Sequence, residues 1–185
     1  MKDHFLSRFA ALCIFGASIY APLESTGETL EQQLIRHEGY KAKAYRDGKG
    51  YSVGYGTRLT GTDAKNRLKK MGVDYNALIR KEISLTRKQA VTLFYQDVAL
   101  ARTAATRLVP SYHLQPKEIK DAVVNMIYNL GPTGFAEFVE VRNFLENRKY
   151  LSAADEMTKS NWYRNPRTYR RAEELRQQIA KQGKK

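Results

Sequence analysis

Two carboxylates in one glycine-rich stretch are the residues of this chain best suited to chemistry. Glu38 and Asp47 are separated by eight residues in EGYKAKAYRDGKGYSVGYGT, which runs from 38 to 57. The stretch contains five glycines, and glycine is costly to hold in one conformation. We therefore expect these residues to form a site rather than part of a packed core.

Hydrolysis of a glycosidic bond needs two such carboxyl groups, one protonated and one ionised. Glu38 follows an apolar helical face, and because burial raises the pKa of a carboxyl group, it suits the acid. Asp47 lies at a glycine-flanked turn and is expected to stay ionised, with Ser52 near enough to hold a water. Each acid also has an ordinary structural explanation: Asp-Gly is a common turn pair, and most glutamates are surface carboxylates.

The elements around the pair predict an α+β fold. Thr29 and Gln32 form a capping-box pattern for a helix that ends near Gly39, so Glu38 lies at its C-terminal end. Alternating residues on either side of Asp47-Gly48 predict a small antiparallel sheet. Helical periodicity follows, with a central buried helix at 117–131 and a charged, fraying helix at 168–185. We predict a domain over 28–185, with a sheet lobe at about 39–61 and a helical lobe at about 62–180.

Residues 1–27 have the layout of an export segment. Lys2 and Arg8 precede an uncharged, moderately apolar run at 9–23. That run is short for a stable membrane-spanning helix, which needs roughly 20 apolar residues. It fits a cleaved signal peptide, an uncleaved anchor to the inner membrane that can be released, or an amphipathic first helix. The first two predict export to the periplasm or cell wall of a bacterium.

The composition of the chain indicates what kind of partner it binds. The 185 residues are 42% hydrophobic and carry a formal charge of +13, so a packed core and an anionic partner are expected. Nucleic acid, anionic lipid and anionic cell-wall polymer all meet that condition. The single cysteine, Cys13, excludes an intramolecular disulfide, and the three histidines lack metal-ligand spacing, so we expect no metal and no cofactor. His37 adjoins Glu38, but neighbours on a helix point apart, which predicts no shared role.

Three stretches, in order, resemble the T-even-type phage lysozymes of glycoside hydrolase family 24. The first is the stretch from Glu38 to Gly56 that contains both acids. The second is NMIYNLG at 125–131, and the third is KSNWY at 159–163, with Pro166 and several arginines after it. The resemblance runs from about residue 30 to about residue 178.

The resemblance implies a lysozyme-like fold and a monomeric muramidase that cleaves the β-1,4 bond between N-acetylmuramic acid and N-acetylglucosamine in peptidoglycan. Such an enzyme is an endolysin that lyses the host of a phage. Glu38 matches the family's general acid and Asp47 its second carboxylate. Ser52 stands one residue earlier than the family's usual active-site threonine, and Thr57 stands where the family often has an ion-pairing histidine.

Other residues are candidates for contact with substrate. Tyr128 and Asn129 match positions that the family places near the cleft. Arg171 could contact wall carboxylates or phosphates, or belong to a solvated face. Trp162 could stack on a sugar, but packing of a C-terminal helix is the interpretation we favour.

Three other functions remain open at this point. A lytic transglycosylase cleaves the same bond with one acid, so it does not require Asp47. A basic nucleic-acid-binding module would use the positive charge, although no binding motif is recognisable. A basic helix at 168–185 could also disrupt membranes directly.

Overall fold

The computed structural model describes residues 27–48 and 50–184. The apolar run at 9–23 of the predicted export segment, with Cys13, lies outside these residues. Among the helices that are described, none is both long enough and apolar enough to cross a membrane.

The described chain forms a small sheet followed by a set of helices. The strands are β1 (Lys41–Asp47), β2 (Gly50–Gly54) and β3 (Thr57–Arg58). The helices are α1 (Leu30–Glu38), α2 (Gly61–Lys70), α3 (Tyr75–Ile79), α4 (Arg87–Leu108), α5 (Lys117–Ala136), α6 (Val139–Glu146), α7 (Tyr150–Met157), α8 (Asn161–Arg164) and α9 (Tyr169–Gln182), with a 3-10 turn at Pro110–Leu114 between α4 and α5.

The sheet follows from local sequence. Its order is β1-β2-β3, and both pairings are antiparallel. Asp47 pairs with Gly50, so the Asp47-Gly48 turn closes the first hairpin as predicted. The capping box of Thr29 and Gln32 is also present at the start of α1, and Gly39 ends that helix with a φ of 64°.

The helical lobe is built on α5. Consecutive residues from Ala122 to Ile127 are buried, which confirms the predicted central helix. Helix α4 packs on both α5 and β2 and so joins the helices to the sheet. Helix α5 breaks at Gly131 as predicted, with a φ of 75°, and helical structure resumes after this kink and continues through Ala136. The α+β fold with a small antiparallel sheet is confirmed.

The C-terminal helix differs from the prediction. Ala172, Leu175 and Ile179 are fully buried, and α9 packs on α5 and α7. The spacing of these three residues makes one apolar stripe on an otherwise charged helix. The expectation that this helix frays is therefore wrong. Its docking brings Glu174 and Arg171 against α1, at the other end of the described chain.

Candidate active site

Glu38 and Asp47 both line one cleft of about 300 Å³. The cleft lies between the sheet and helices α4 and α5. Its other lining residues are Gly56, Arg58, Asp97, Leu100, Ala101, Ile127, Tyr128, Asn129, Gly131 and Pro132. Four of the six predicted site residues therefore share this cleft, while Ser52 and Arg171 contact its two acids from behind.

Glu38 is held by an arginine. Its Oε1 accepts a hydrogen bond of 2.7 Å from Nη2 of Arg171, and the two side chains are 17% and 8% exposed. The sequence predicted an apolar setting for this carboxyl group, but the fold supplies a guanidinium from α9. Within the described residues, Oε2 makes no hydrogen bond, and it lies against Gly56 in the cleft wall. That oxygen therefore has no protein hydrogen-bond partner in the described residues, in a side chain that is 17% exposed and lines the cleft.

Arg171 has a second partner next to Glu38 in the chain. Its Nε donates to Nδ1 of His37 at 2.9 Å, and Nε2 of His37 lies 3.0 Å from Oε2 of Glu174. Arg171 also lines a second pocket together with Arg167 and Arg170. Sequence reasoning set His37 aside because neighbouring helical side chains diverge. The side chains of His37 and Glu38 nevertheless both contact the guanidinium of Arg171, because Arg171 approaches them from a different helix.

Asp47 is held more loosely. It is the last residue of β1, it is exposed, and its Oδ2 accepts a hydrogen bond of 3.2 Å from Ser52 Oγ. Ser52 is fully buried in β2, where it pairs with Tyr45. The shift of one residue relative to the family pattern therefore leaves a hydroxyl in contact with the second acid.

Tyr45 lies close enough to both acids for their charges to act on it, a connection that the sequence did not predict. Burial, and then the negative charges of Glu38 and Asp47, raise the pKa of its phenol, while a hydrogen bond with Ser52 acts in the opposite direction. The charges of both carboxylates therefore act on the phenol of Tyr45. The signal in the sequence was the number of tyrosines in the stretch, which does not say which of them faces the acids.

Tyr128 and Asn129 are fixed from the helical side. The Tyr128 hydroxyl donates to the carbonyl of Tyr55 at 2.7 Å, and burial, followed by the charges of Asp97 and Glu38, holds its pKa well above the ordinary value. Asn129 Oδ1 accepts a 2.8 Å hydrogen bond from Trp162 Nε1. The Asn129 amide nitrogen makes no hydrogen bond within the described part of the chain and is available to a ligand.

Trp162 is a packing residue in this structure. It is 7% exposed and meets the Phe138 ring edge-on, with ring centroids 6.0 Å apart. Its indole nitrogen is committed to Asn129. It therefore supports the cleft wall from within the helical lobe.

Thr57 takes part in an ion-pair network despite not being a histidine. Its hydroxyl donates to Asp97 Oδ2 at 2.5 Å, and Arg67 Nη1 donates to the other carboxylate oxygen at 2.7 Å. Asp97 lines the cleft, and Arg67, the cation beside it, belongs to α2. Across residues 27–48 and 50–184, no group of histidine, cysteine, aspartate and glutamate side chains is arranged to hold a metal ion.

A cleft between a small sheet and a helical lobe, with Glu38 and Asp47 in its walls and a third carboxylate, Asp97, paired with Arg67, is typical of a lysozyme-type hydrolase. Residues 35–177 match the family model described as phage lysozyme, and the chain belongs to that family. It is also similar to two proteins of Dictyostelium discoideum, probable T4-type lysozymes 2 and 1. Each is 26% identical, over 143 and 144 residues respectively, covering 72% of this chain and 84% of the relative.

This protein is therefore a lysozyme-type glycoside hydrolase that acts on peptidoglycan. The family match gives no support to the nucleic-acid-binding alternative.

Proposed function

We propose that the enzyme is a muramidase that hydrolyses the β-1,4 bond between N-acetylmuramic acid and N-acetylglucosamine. Glu38 acts as the general acid and Asp47 as the second carboxylate. The observation that supports this assignment is that Glu38 and Asp47 both line one cleft. Two carboxyl groups facing one space are what glycosidic hydrolysis requires.

The geometry divides the work between the acids. Oε2 of Glu38, free of protein hydrogen bonds in the described residues, gives its proton to the leaving glycosidic oxygen as the bond to the anomeric carbon breaks. A water adds its oxygen to that carbon and releases a proton to Asp47. The Ser52 hydroxyl, 3.2 Å from Asp47, orients this carboxylate. Tyr128 and Asn129 form the facing wall against which the glycan lies.

The test replaces the acid and analyses the product. Glu38→Gln keeps the size and polarity of the side chain, and we expect it to lower the rate of wall hydrolysis by about a thousandfold, as loss of a general acid does. Glu31→Gln, on the same helix but paired with Arg102 outside the cleft, is the matched control and should keep full activity. An active Glu38→Gln enzyme would overturn the assignment of the acid.

A lytic transglycosylase is the second candidate, because Asp47 is exposed and makes a single side-chain hydrogen bond among the described residues. Mass analysis of the fragments released from purified peptidoglycan separates the two reactions. Hydrolysis leaves reducing muramic acid ends, whereas the transglycosylase leaves anhydro ends that lack one water. Anhydro ends, together with an active Asp47→Ala variant, would replace our proposal with this one.

We further propose that the enzyme is an exported phage endolysin that acts as a monomer and lyses the host cell. The support is the sequence pattern at 1–27, whose run at 9–23 would carry the chain to the inner membrane and then outward. Fractionation of expressing bacteria with N-terminal sequencing tests this. A shortened periplasmic form indicates a cleaved signal, and a full-length form that moves from membrane to periplasm indicates a released anchor. Retention of the whole chain in the cytoplasm would contradict export.

A further inference from the structure

We propose that His37 is a positioning residue for the reaction, and that it acts on Glu38 through Arg171. The inference rests on the proposed role of Glu38 as the general acid. Neither the family pattern nor the spacing of the acids assigns a function to His37. The contacts around its imidazole do.

The two ring nitrogens of His37 have different roles, and the donors around them decide which is which. A guanidinium has only donors, so Nδ1 of His37 must accept the 2.9 Å hydrogen bond from Arg171 Nε. The ring proton is then on Nε2, which lies 3.0 Å from Glu174 Oε2 and donates to it. The Asn125 amide nitrogen, 3.4 Å from Nδ1, is also a donor, which agrees with an acceptor at that ring position.

Glu174 is a fixed acceptor for that proton. Its carboxylate also receives hydrogen bonds from Gln33 at 2.9 Å and from Arg36 at 2.5 Å. Burial alone would raise the pKa of Glu174, but the hydrogen bonds from Arg36, His37 and Gln33 outweigh it and hold the pKa at about 2. The carboxylate is therefore ionised, and the imidazole between it and Arg171 is 8% exposed and held at both nitrogens.

The orientation of His37 is passed on to the acid because a guanidinium is planar and rigid. When Nε is directed at His37, Nη2 of the same group is directed at Glu38 Oε1, at 2.7 Å. Oε1 is thereby committed, and Oε2 is left facing the cleft. Without an acceptor at Nδ1, the guanidinium can turn about its stem, and the carboxyl group loses the orientation that presents Oε2 to the substrate.

Three variants of the full chain test the proposal. His37→Leu removes the acceptor and keeps an apolar side chain of moderate size. His37→Asn places an amide oxygen near the position of Nδ1, where it can accept from Arg171, but it does not reach Glu174. His113→Leu replaces an exposed histidine remote from the cleft and is the control. For each, kcat and KM on purified peptidoglycan are measured together with the melting temperature.

We expect His37→Leu to lower kcat about tenfold while KM changes less than about twofold, since misplacing a reacting group costs rate rather than binding. His37→Asn should recover most of the lost kcat even if its melting temperature stays low, because it restores the acceptor alone. His113→Leu should match the parent enzyme.

Two outcomes overturn the proposal. One is a His37→Leu enzyme with the parent kcat. The other is a His37→Asn enzyme as slow as His37→Leu, because the acceptor would then be irrelevant. Glu38→Gln is assayed in parallel to separate this failure from failure of the proposed function. An active Glu38→Gln enzyme removes the acid assignment itself, whereas an inactive one beside a fully active His37→Leu enzyme rejects the positioning role alone.

Discussion

Glu38 and Asp47, the two proposed catalytic acids, are held in opposite ways. Glu38 is 17% exposed, and its partner Arg171 lies 133 residues away in the chain, on a helix that docks from the C-terminal end. Asp47 is exposed at the end of a strand, and its hydrogen-bond partner Ser52 lies five residues away in the same hairpin. One acid depends on the packing of the whole domain, and the other depends on a local turn.

This difference suggests a division of requirements. A group that must deliver a proton to one particular oxygen gains from being held rigidly by buried partners. A carboxylate that acts with water gains from exposure, because solvent stabilises its charge and supplies the nucleophile. Activity and stability should therefore separate between the half of the site that contains Asp47 and the half that contains Glu38.

Asp47→Asn should separate the two properties most clearly. We expect the release of reducing ends to fall about a thousandfold, as loss of a catalytic carboxylate does. The free energy of unfolding should change by less than about 0.5 kcal/mol, because the group is exposed. Asp155→Asn, also exposed but on α7, is the control and should alter neither quantity. A large loss of stability in Asp47→Asn would show that this half of the site is not local.

Arg171→Leu, in the half of the site that contains Glu38, should lower the free energy of unfolding. It leaves Glu38 without its cation, and loss of one partner of a buried ion pair costs about 3 kcal/mol. Arg176→Leu lies on the same helix, but its pair with Glu173 is more exposed, at 25% and 22%, than the pair of Arg171 with Glu38. It should cost less than about 1 kcal/mol. Denaturant unfolding measures both, and equal losses would mean that burial of the Glu38 pair contributes nothing.

Gly56→Ala tests the contact between the two halves. A Cβ at Gly56 would lie 2.7 Å from Glu38 Oε2, and the residue has a φ of +87°, which disfavours side chains. Gly72 has a similar φ of +69° with nothing within 4 Å, so Gly72→Ala is the matched control. Both variants should lose about 1–2 kcal/mol of stability from backbone strain. Loss of kcat in Gly56→Ala alone would locate the effect at Glu38, and equal kcat in both variants would contradict this.

Acidification should lower the stability of the protein by protonating Glu174, which lies in the half of the site that contains Glu38. The pKa of this carboxyl group is lowered from an ordinary value of 4.5 to about 2, so it binds a proton less readily when the protein is folded. The stability that it contributes is present above pH 4.5 and is lost as the pH falls through about 2.

Glu174→Gln lacks this titration. Melting temperatures taken above pH 4.5 and again near pH 2 should therefore fall less in the variant than in the parent enzyme. Equal falls would contradict the coupling of Glu174 to folding.

Local features of the site were predictable from particular residues. Thr29 with Gln32 forms the capping box that begins α1, because a cap is made within four residues. Asp47-Gly48 indicated the hairpin for a similar reason. The apolar run in α5 indicated the buried helix on which the cleft is built. Tyr45 was missed because several tyrosines in the stretch have equivalent local patterns.

By itself, the sequence determined where the two acids lie on their elements, the α+β architecture and, through three ordered motifs, the family. Only the tertiary structure decided what surrounds Glu38. The sequence predicted either a substrate contact or a solvated face for Arg171 and no role for His37, because periodicity describes one helix at a time and cannot say which face of α9 meets α1. That meeting depends on the burial of Ala172, Leu175 and Ile179 against other helices, a property of the packed core rather than of any local pattern.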